Sequence, residues 1–261
     1  MKHLGVLKPD KLVDLLNWLG LPAAALYAIC MLVFPWLDGR GDWGYVQDVW
    51  DRWQSLNVAM LAFVSSITAF NISKFNANKQ RERDFLASKA FLPAALSELI
   101  SYFKDSASVF KEGWESKNES KPAFRIPVLP QEYKEVFGHC IRYAEPDVGD
   151  YLSRILVWLQ VHDAQLKGYI EQAGDKHYFH PDKLNLITYF YRLGELQALV
   201  NKLFEFARNM GEFDSSPLEW EDFRNAYGNL DVWVEEIYID EKMNLEAFTK
   251  QAIARNERQD T

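Results

Sequence analysis

His177 and His180, flanked by Asp175 and Asp182, are the compact group of side chains in this 261-residue sequence with metal-ligand character. Zinc takes four ligands in a structural site, or three and a water in a catalytic one. Here the spacing is irregular, Pro181 intervenes, and no second pair stands elsewhere at a recognised spacing, so the segment reads as a loop between helices. His162 with Asp163 is the other candidate for acid-base chemistry. They fall inside an apolar-periodic stretch, 152–170, where a histidine is expected as a polar core or interface residue and not as a base. Glu219 with Glu221 and Asp222, and Glu235 with Glu236, have helix-surface spacing and read as solvated faces. The sequence has no glycine-rich phosphate loop, no G-x-S-x-G elbow, no H-E-x-x-H and no Cys-His pairing. The expectation is a protein that is not an enzyme and carries no cofactor and no metal.

If the side chains bring no reaction, function must lie in the elements, and these are unevenly composed. The formal net charge is -8, and from residue 90 onward 19 Lys and Arg stand against 29 Asp and Glu. An acidic chain lacks the basic face that neutralises phosphates, so direct nucleic-acid binding is not expected. Cys30 and Cys140 are the two cysteines, one in an early apolar block and one in the later domain, which excludes a disulfide scaffold; each is expected to be a small buried hydrophobe.

Residues 15–37 contain no charge, and at about 1.5 Å per residue they can cross a hydrocarbon core of about 30 Å. A cleaved signal peptide would end at a small-residue site, but the apolar run continues past Ala23, Ala24 and Ala25 to Phe34 and Trp36. A lipoprotein site would want small residues before Cys30, where Tyr27 and Ile29 stand. Pro22 and Pro35 weaken this first span as a helix. A second uncharged stretch, 53–73, carries Leu56, Val58, Leu61, Phe63, Val64, Ile67 and Phe70 on most faces of a helix, and is expected to be a second span.

Basic residues set the orientation. The arm has Lys2, Lys8 and Lys11, the connection 38–52 has Arg40 and Arg52 among four aspartates, and Lys74, Lys79, Arg81, Arg83 and Lys89 follow the second span. By the positive-inside rule both termini face the cytoplasm, and the last five form a basic cluster for anionic head groups. Trp36, Trp43, Tyr45, Trp50 and Trp53 suit the interfacial zone of an external hairpin. In the second span Ala59, Ala62, Ser65, Ser66 and Ala69 recur three or four residues apart, and small residues let helix backbones approach. They pack either against the chain's own first span or against another copy in a homo-oligomer.

No Pro or Gly lies between Trp53 and Leu92, so the second span is expected to continue as a long helix into a stalk over 74–115, where Leu92, Leu96, Leu99, Ile100 and Phe103 keep helical spacing. A polar loop over 116–130 and a bundle over 131–261 follow an arm at 1–14 and a transmembrane hairpin at 15–73. Leu152 to Ile170 and Leu184 to Ala207 carry two apolar stripes. Ser216-Pro217-Leu218-Glu219 reads as a capping box opening a helix with Trp220, Phe223 and Tyr227, and a last helix is expected from about Asp231 toward Arg255. The predicted fold is all-α: two N-terminal transmembrane helices, then a cytosolic antiparallel bundle of four to six helices.

Gln80-Arg81-Glu82-Arg83, Ala90-Phe91-Leu92-Pro93-Ala94-Ala95-Leu96-Ser97-Glu98-Leu99 and Leu159-Gln160-Val161-His162-Asp163-Ala164-Gln165-Leu166 resemble segments of small two-span bacterial inner-membrane proteins of unassigned function. In layout the chain is also similar to two-span membrane effectors of anti-phage systems, including retron and nucleotide-signalled types. That resemblance implies a cytosolic domain that receives a signal from a regulatory protein or nucleoprotein partner, and spans that assemble to breach the lipid bilayer. A membrane-tethered scaffold or adaptor without pore activity is the alternative.

Overall fold

The computed structural model describes residues 9–115, 125–175, 182–240 and 243–257, and what is described is almost wholly helical. It divides into two units, Met1–Gln80 and Arg81–Thr261.

In the first unit, α1 (Pro9–Ala28), a π-helical segment (Ile29–Val33) and α2 (Phe34–Asp38) follow one another directly. The π segment has a local cause. Pro35 has no N–H and its ring crowds the carbonyl four residues back, that of Met31, so the helix widens there. The freed Met31 carbonyl accepts from Trp50 Nε1 at 2.8 Å. The connection is itself helical: α3 (Trp43–Arg52) begins at Asp42, whose Oδ1 accepts from the Gly44 N–H at 3.0 Å. Trp36, Trp43 and Trp50 form a ring series at 5.6 and 5.9 Å between centroids.

The helix α4 (Gln54–Lys89) is continuous, as the absence of Pro and Gly dictates. A Cβ added to Gly20 of α1 would stand 2.9 Å from Ile67 Cδ1, so this glycine permits the approach of α1 to α4. The Tyr27 hydroxyl donates to Asn57 Oδ1, and Asn57 Nδ2 donates to the Trp50 carbonyl at 3.3 Å. Among the described residues, two helices are long and apolar enough to cross a membrane: one contains Trp18–Asp38 and the other begins at Gln54. The apolar window of the second is 0% buried within the chain.

In the second unit, α5 (Leu92–Glu115), α6 (Glu132–Tyr143), α7 (Pro146–Asp175), α8 (Lys183–Ala207), α9 (Trp220–Asn229) and α10 (Leu245–Glu257) enclose one core. At its centre α8 packs against α5, α7, α9 and α10, which explains why it is apolar on nearly every face. Tyr151 of α7 donates its hydroxyl to the Leu199 carbonyl of α8 at 3.1 Å.

Several sequence expectations are corrected here. Residues 92–115 do not prolong a stalk: the chain turns at Ala90 and Phe91, and Leu92, Leu96, Leu99 and Phe103 are fully buried in the bundle core. Burial of that apolar stripe outweighs continuation of the helix. The α9 cap is Glu219 and not Ser216. Ser216 is drawn off by Lys202, whose Nζ donates to its Oγ at 2.6 Å, while Asp222 returns a carboxylate to the Glu219 N–H at 2.9 Å. The last helix starts at Leu245 and not near Asp231, because Asp231 takes a positive φ of 55° that stops helical continuation. The β-prone Tyr238–Asp240 then pairs antiparallel with Met243–Asn244 as a small ladder. Of the 116–130 loop, residues 125–130 are described and have no regular structure.

Candidate functional site

Asn57, Met60, Ile67, Asn71 and Lys74 are half-buried and share one side of α4, the side on which Tyr27 and Gly20 of α1 meet it. Ala59, Ala62, Ser65, Ser66 and Ala69 are all exposed. At about 100° per residue they centre on the opposite side of the helix. The contact with α1 therefore leaves these small residues uncovered. Ser66 Oγ donates to the Ala62 carbonyl at 2.8 Å and Asn71 Nδ2 to the Ile67 carbonyl at 3.1 Å, so both return to their own helix. Asn57 is engaged inside the hairpin.

The basic cluster is divided. Arg83 is exposed; Lys79 is exposed and Lys74 half-buried, and both have interactions of their own. Arg81 donates to Glu145 Oε1 at 2.5 Å, an exposed pair of small energetic weight. Lys89 is not exposed with the others. It is 7% exposed, its Nζ stands 3.6 Å from the centre of the Phe206 ring, and burial lowers its pKa. The ring face supplies part of what water would give the ammonium. Beside it burial pushes the Cys140 thiol up to about 11, which keeps it protonated and unreactive at neutral pH. Cys30, expected to be buried, is exposed within its own unit, in the apolar segment.

His162 and Asp163 do not form a dyad. Asp163 accepts from Lys167 Nζ at 2.6 Å and from the Tyr102 hydroxyl at 3.2 Å. His162 is 3% exposed, with the rings of Tyr102, Phe103 and Phe110 nearly perpendicular to it at centroid distances of 5.8 to 6.3 Å. Burial depresses its pKa to about 4, against a small opposing pull from Asp163, so the imidazole is neutral at physiological pH. Of the histidine-aspartate loop, His177, His180 and Pro181 lie outside the described residues, as does the side chain of Asp175. Asp182 is an α8 cap, its Oδ1 accepting from the Leu184 N–H at 3.0 Å. Among the described residues no group of three His, Cys, Asp or Glu could hold a metal ion.

Sequence reasoning passed over Glu195, although a lone carboxylate in the apolar run Leu193-Gly194-Glu195-Leu196 is a visible signal. It is 7% exposed and accepts from Arg192 at 3.1 Å. Burial raises its pKa to about 7, the arginine pulling the other way. The folded pKa lies above the ordinary 4.5, so its contribution to stability is complete below pH 4.5 and is lost as pH rises through 7. Glu195→Gln keeps the shape without the charge. It is expected to gain up to about 3 kcal/mol over the parent at pH 8 and under about 1 kcal/mol at pH 5, at about 1.4 kcal/mol per unit of pKa. Thermal melts of both proteins at the two pH values check this; the His162 titration, opposite in sign between pH 6.5 and 4, cancels in the difference. A gain that does not grow with pH would contradict the assignment.

No protein-family model matches the chain, and no curated protein and no solved structure matches it.

Proposed function

We propose that the chain is a bacterial inner-membrane effector: its cytosolic helical unit receives a signal, from a regulatory protein or nucleoprotein partner, and its second span then self-associates and disrupts the bilayer. The observation that carries this reading is the small-residue face of α4, which lies on the side away from the α1 contact. In lipid, helices gain by close backbone approach and not by hydrophobic burial, so a strip of Ala and Ser presented outward suits a second copy better than it suits acyl chains. The aromatic series around Trp43 and the acidic connection fit the external interface, and Lys74, Lys79 and Arg83 fit the cytoplasmic one. Anti-phage defence is the setting that the two-span layout implies.

Ala62→Leu and Ser66→Leu are expected to cut both assembly and activity by about tenfold or more, since a branched side chain holds backbones apart. Leu61→Ala, at a 69% exposed position off this face, should leave both unchanged. Subunit counting by single-molecule photobleaching in nanodiscs reads assembly, and membrane potential after induction in bacteria reads activity. Monomers at every protein density, or variants that depolarise like the parent, would sink the reading in favour of a tethered scaffold.

A further inference from the structure

A groove of about 320 Å³ opens between α7 and α8, within the range of small-molecule sites. Val157, Trp158, Val161, His162 and Gln165 follow at one-face spacing on α7, and Arg192 on α8 faces them across it. Three features separate this groove from an ordinary furrow between helices.

Its rim is apolar where water reaches it. Val157 and Val161 are 57% and 50% exposed, on a helix whose other outward positions include Arg154, Gln160 and Lys167. His162, one of its lining residues, is buried, and its Nε2, closed off from water, has no hydrogen-bond partner. The aromatic rings packed around this imidazole offer it none, and an unmet buried nitrogen is a cost that a bound partner would remove. At one end stands a fixed positive charge. The Arg192 guanidinium lies 4.8 Å from the Trp158 ring and spends one contact on Glu195, yet its side chain is 46% exposed. A guanidinium presents five donors in a planar fork, so this one can hold an acidic oxygen as well.

We propose that the groove binds a small aromatic acid: a flat ring covering Val157 and Val161, a ring nitrogen or N–H hydrogen-bonded to His162 Nε2, and a carboxylate or phosphate held by Arg192. The ring's faces take the apolar rim, its heteroatom meets the imidazole, and its charge complements the arginine. Neutral aliphatic molecules satisfy only the first of these, and aromatic cations are repelled by the third. The proposal stands independently of whether the spans assemble.

The test uses the full chain in lipid nanodiscs and saturation-transfer NMR. The probes are indole-3-acetate and adenosine 5′-monophosphate as the carboxylate and phosphate forms of the class, with tryptamine and cyclohexaneacetate as controls. At least one of the two aromatic acids is expected to bind the parent with a dissociation constant at or below about 1 mM. Val161→Asp, at a half-exposed position where folding is not at stake, places a carboxylate on the rim and should weaken that binding about tenfold or more. His162→Phe preserves the ring's bulk without its nitrogen and should weaken it as well. Which acid binds tells carboxylate from phosphate. Absence of binding by both acids, undiminished binding to Val161→Asp, or equal binding of either control would overturn the proposal.

Discussion

Phe110→Ala is expected to destabilise the helical unit by about 3–5 kcal/mol, lowering its melting temperature by roughly 6–20 °C. Phe110 is completely buried, and its ring is a node: Tyr189 stacks on it at 5.3 Å, while Tyr169, Phe190 and His162 meet it steeply at 5.6, 5.9 and 6.0 Å. Truncation removes the transfer free energy of an aromatic ring and leaves a cavity walled by other rings. Such walls collapse poorly, and each lost aromatic pair adds about 0.5–1.5 kcal/mol beyond area. Phe110→Leu, which fills part of the space, should cost less than half as much. A melt of the full chain in detergent, followed by near-ultraviolet circular dichroism, reports the tertiary transition. An alanine variant within about 1 kcal/mol of the parent would show that this cluster is not the centre of the core.

The second large effect runs against helix propensity. Gly194 sits mid-helix in α8, where alanine is normally better by about 1 kcal/mol. Here a Cβ would stand 2.4 Å from Cε1 and 2.9 Å from Cζ of Tyr227. That ring cannot swing away: Tyr227 is 1% exposed, and its hydroxyl hydrogen-bonds Thr249 at 2.7 Å, tying α9 to α10. Gly194→Ala is therefore expected to cost about 2–3 kcal/mol, the overpacking exceeding the propensity gain. Tyr227→Phe in the same background should not rescue it, because the clash is with the ring edge. Tyr227→Leu should recover part of the loss. Chemical denaturation of the single and double variants measures the coupling, and additivity of the two changes would refute a direct clash.

These two residues also show how far the sequence carries. Phe110 was not marked by any motif, and its importance arises from α7 and α8 converging on it. Gly194 could have been a tolerated helix glycine until the position of Tyr227, 33 residues later, was known. The same holds for Lys89. In sequence it belongs to a basic run after an apolar segment, but it is the last residue of α4, and the turn at Ala90 and Phe91 brings it over Phe206. The capping box at 216–219 failed for a related reason, since Ser216 answers to Lys202 from another helix. His162 was legible as a polar core residue. Its unpartnered Nε2 and the groove beside it were not, because the first depends on the rings that α5 packs around the imidazole and the second on how Trp158 and Arg192 meet across two helices.

By itself the sequence determined the local quantities. Uncharged runs of bilayer length, helical periodicity over 92–103, 152–170 and 184–207, and the uninterrupted α4 all follow from residue type and spacing, because helix formation and amphipathicity are properties of a few neighbouring turns. Tertiary structure alone decided which faces were covered: that the small-residue side of α4 is left uncovered by α1, that α5 joins the core, and that α8 lies at its centre. Those outcomes depend on contacts between residues distant in the chain, where burial and steric fit outweigh local preference by several kcal/mol, as an order-of-magnitude comparison.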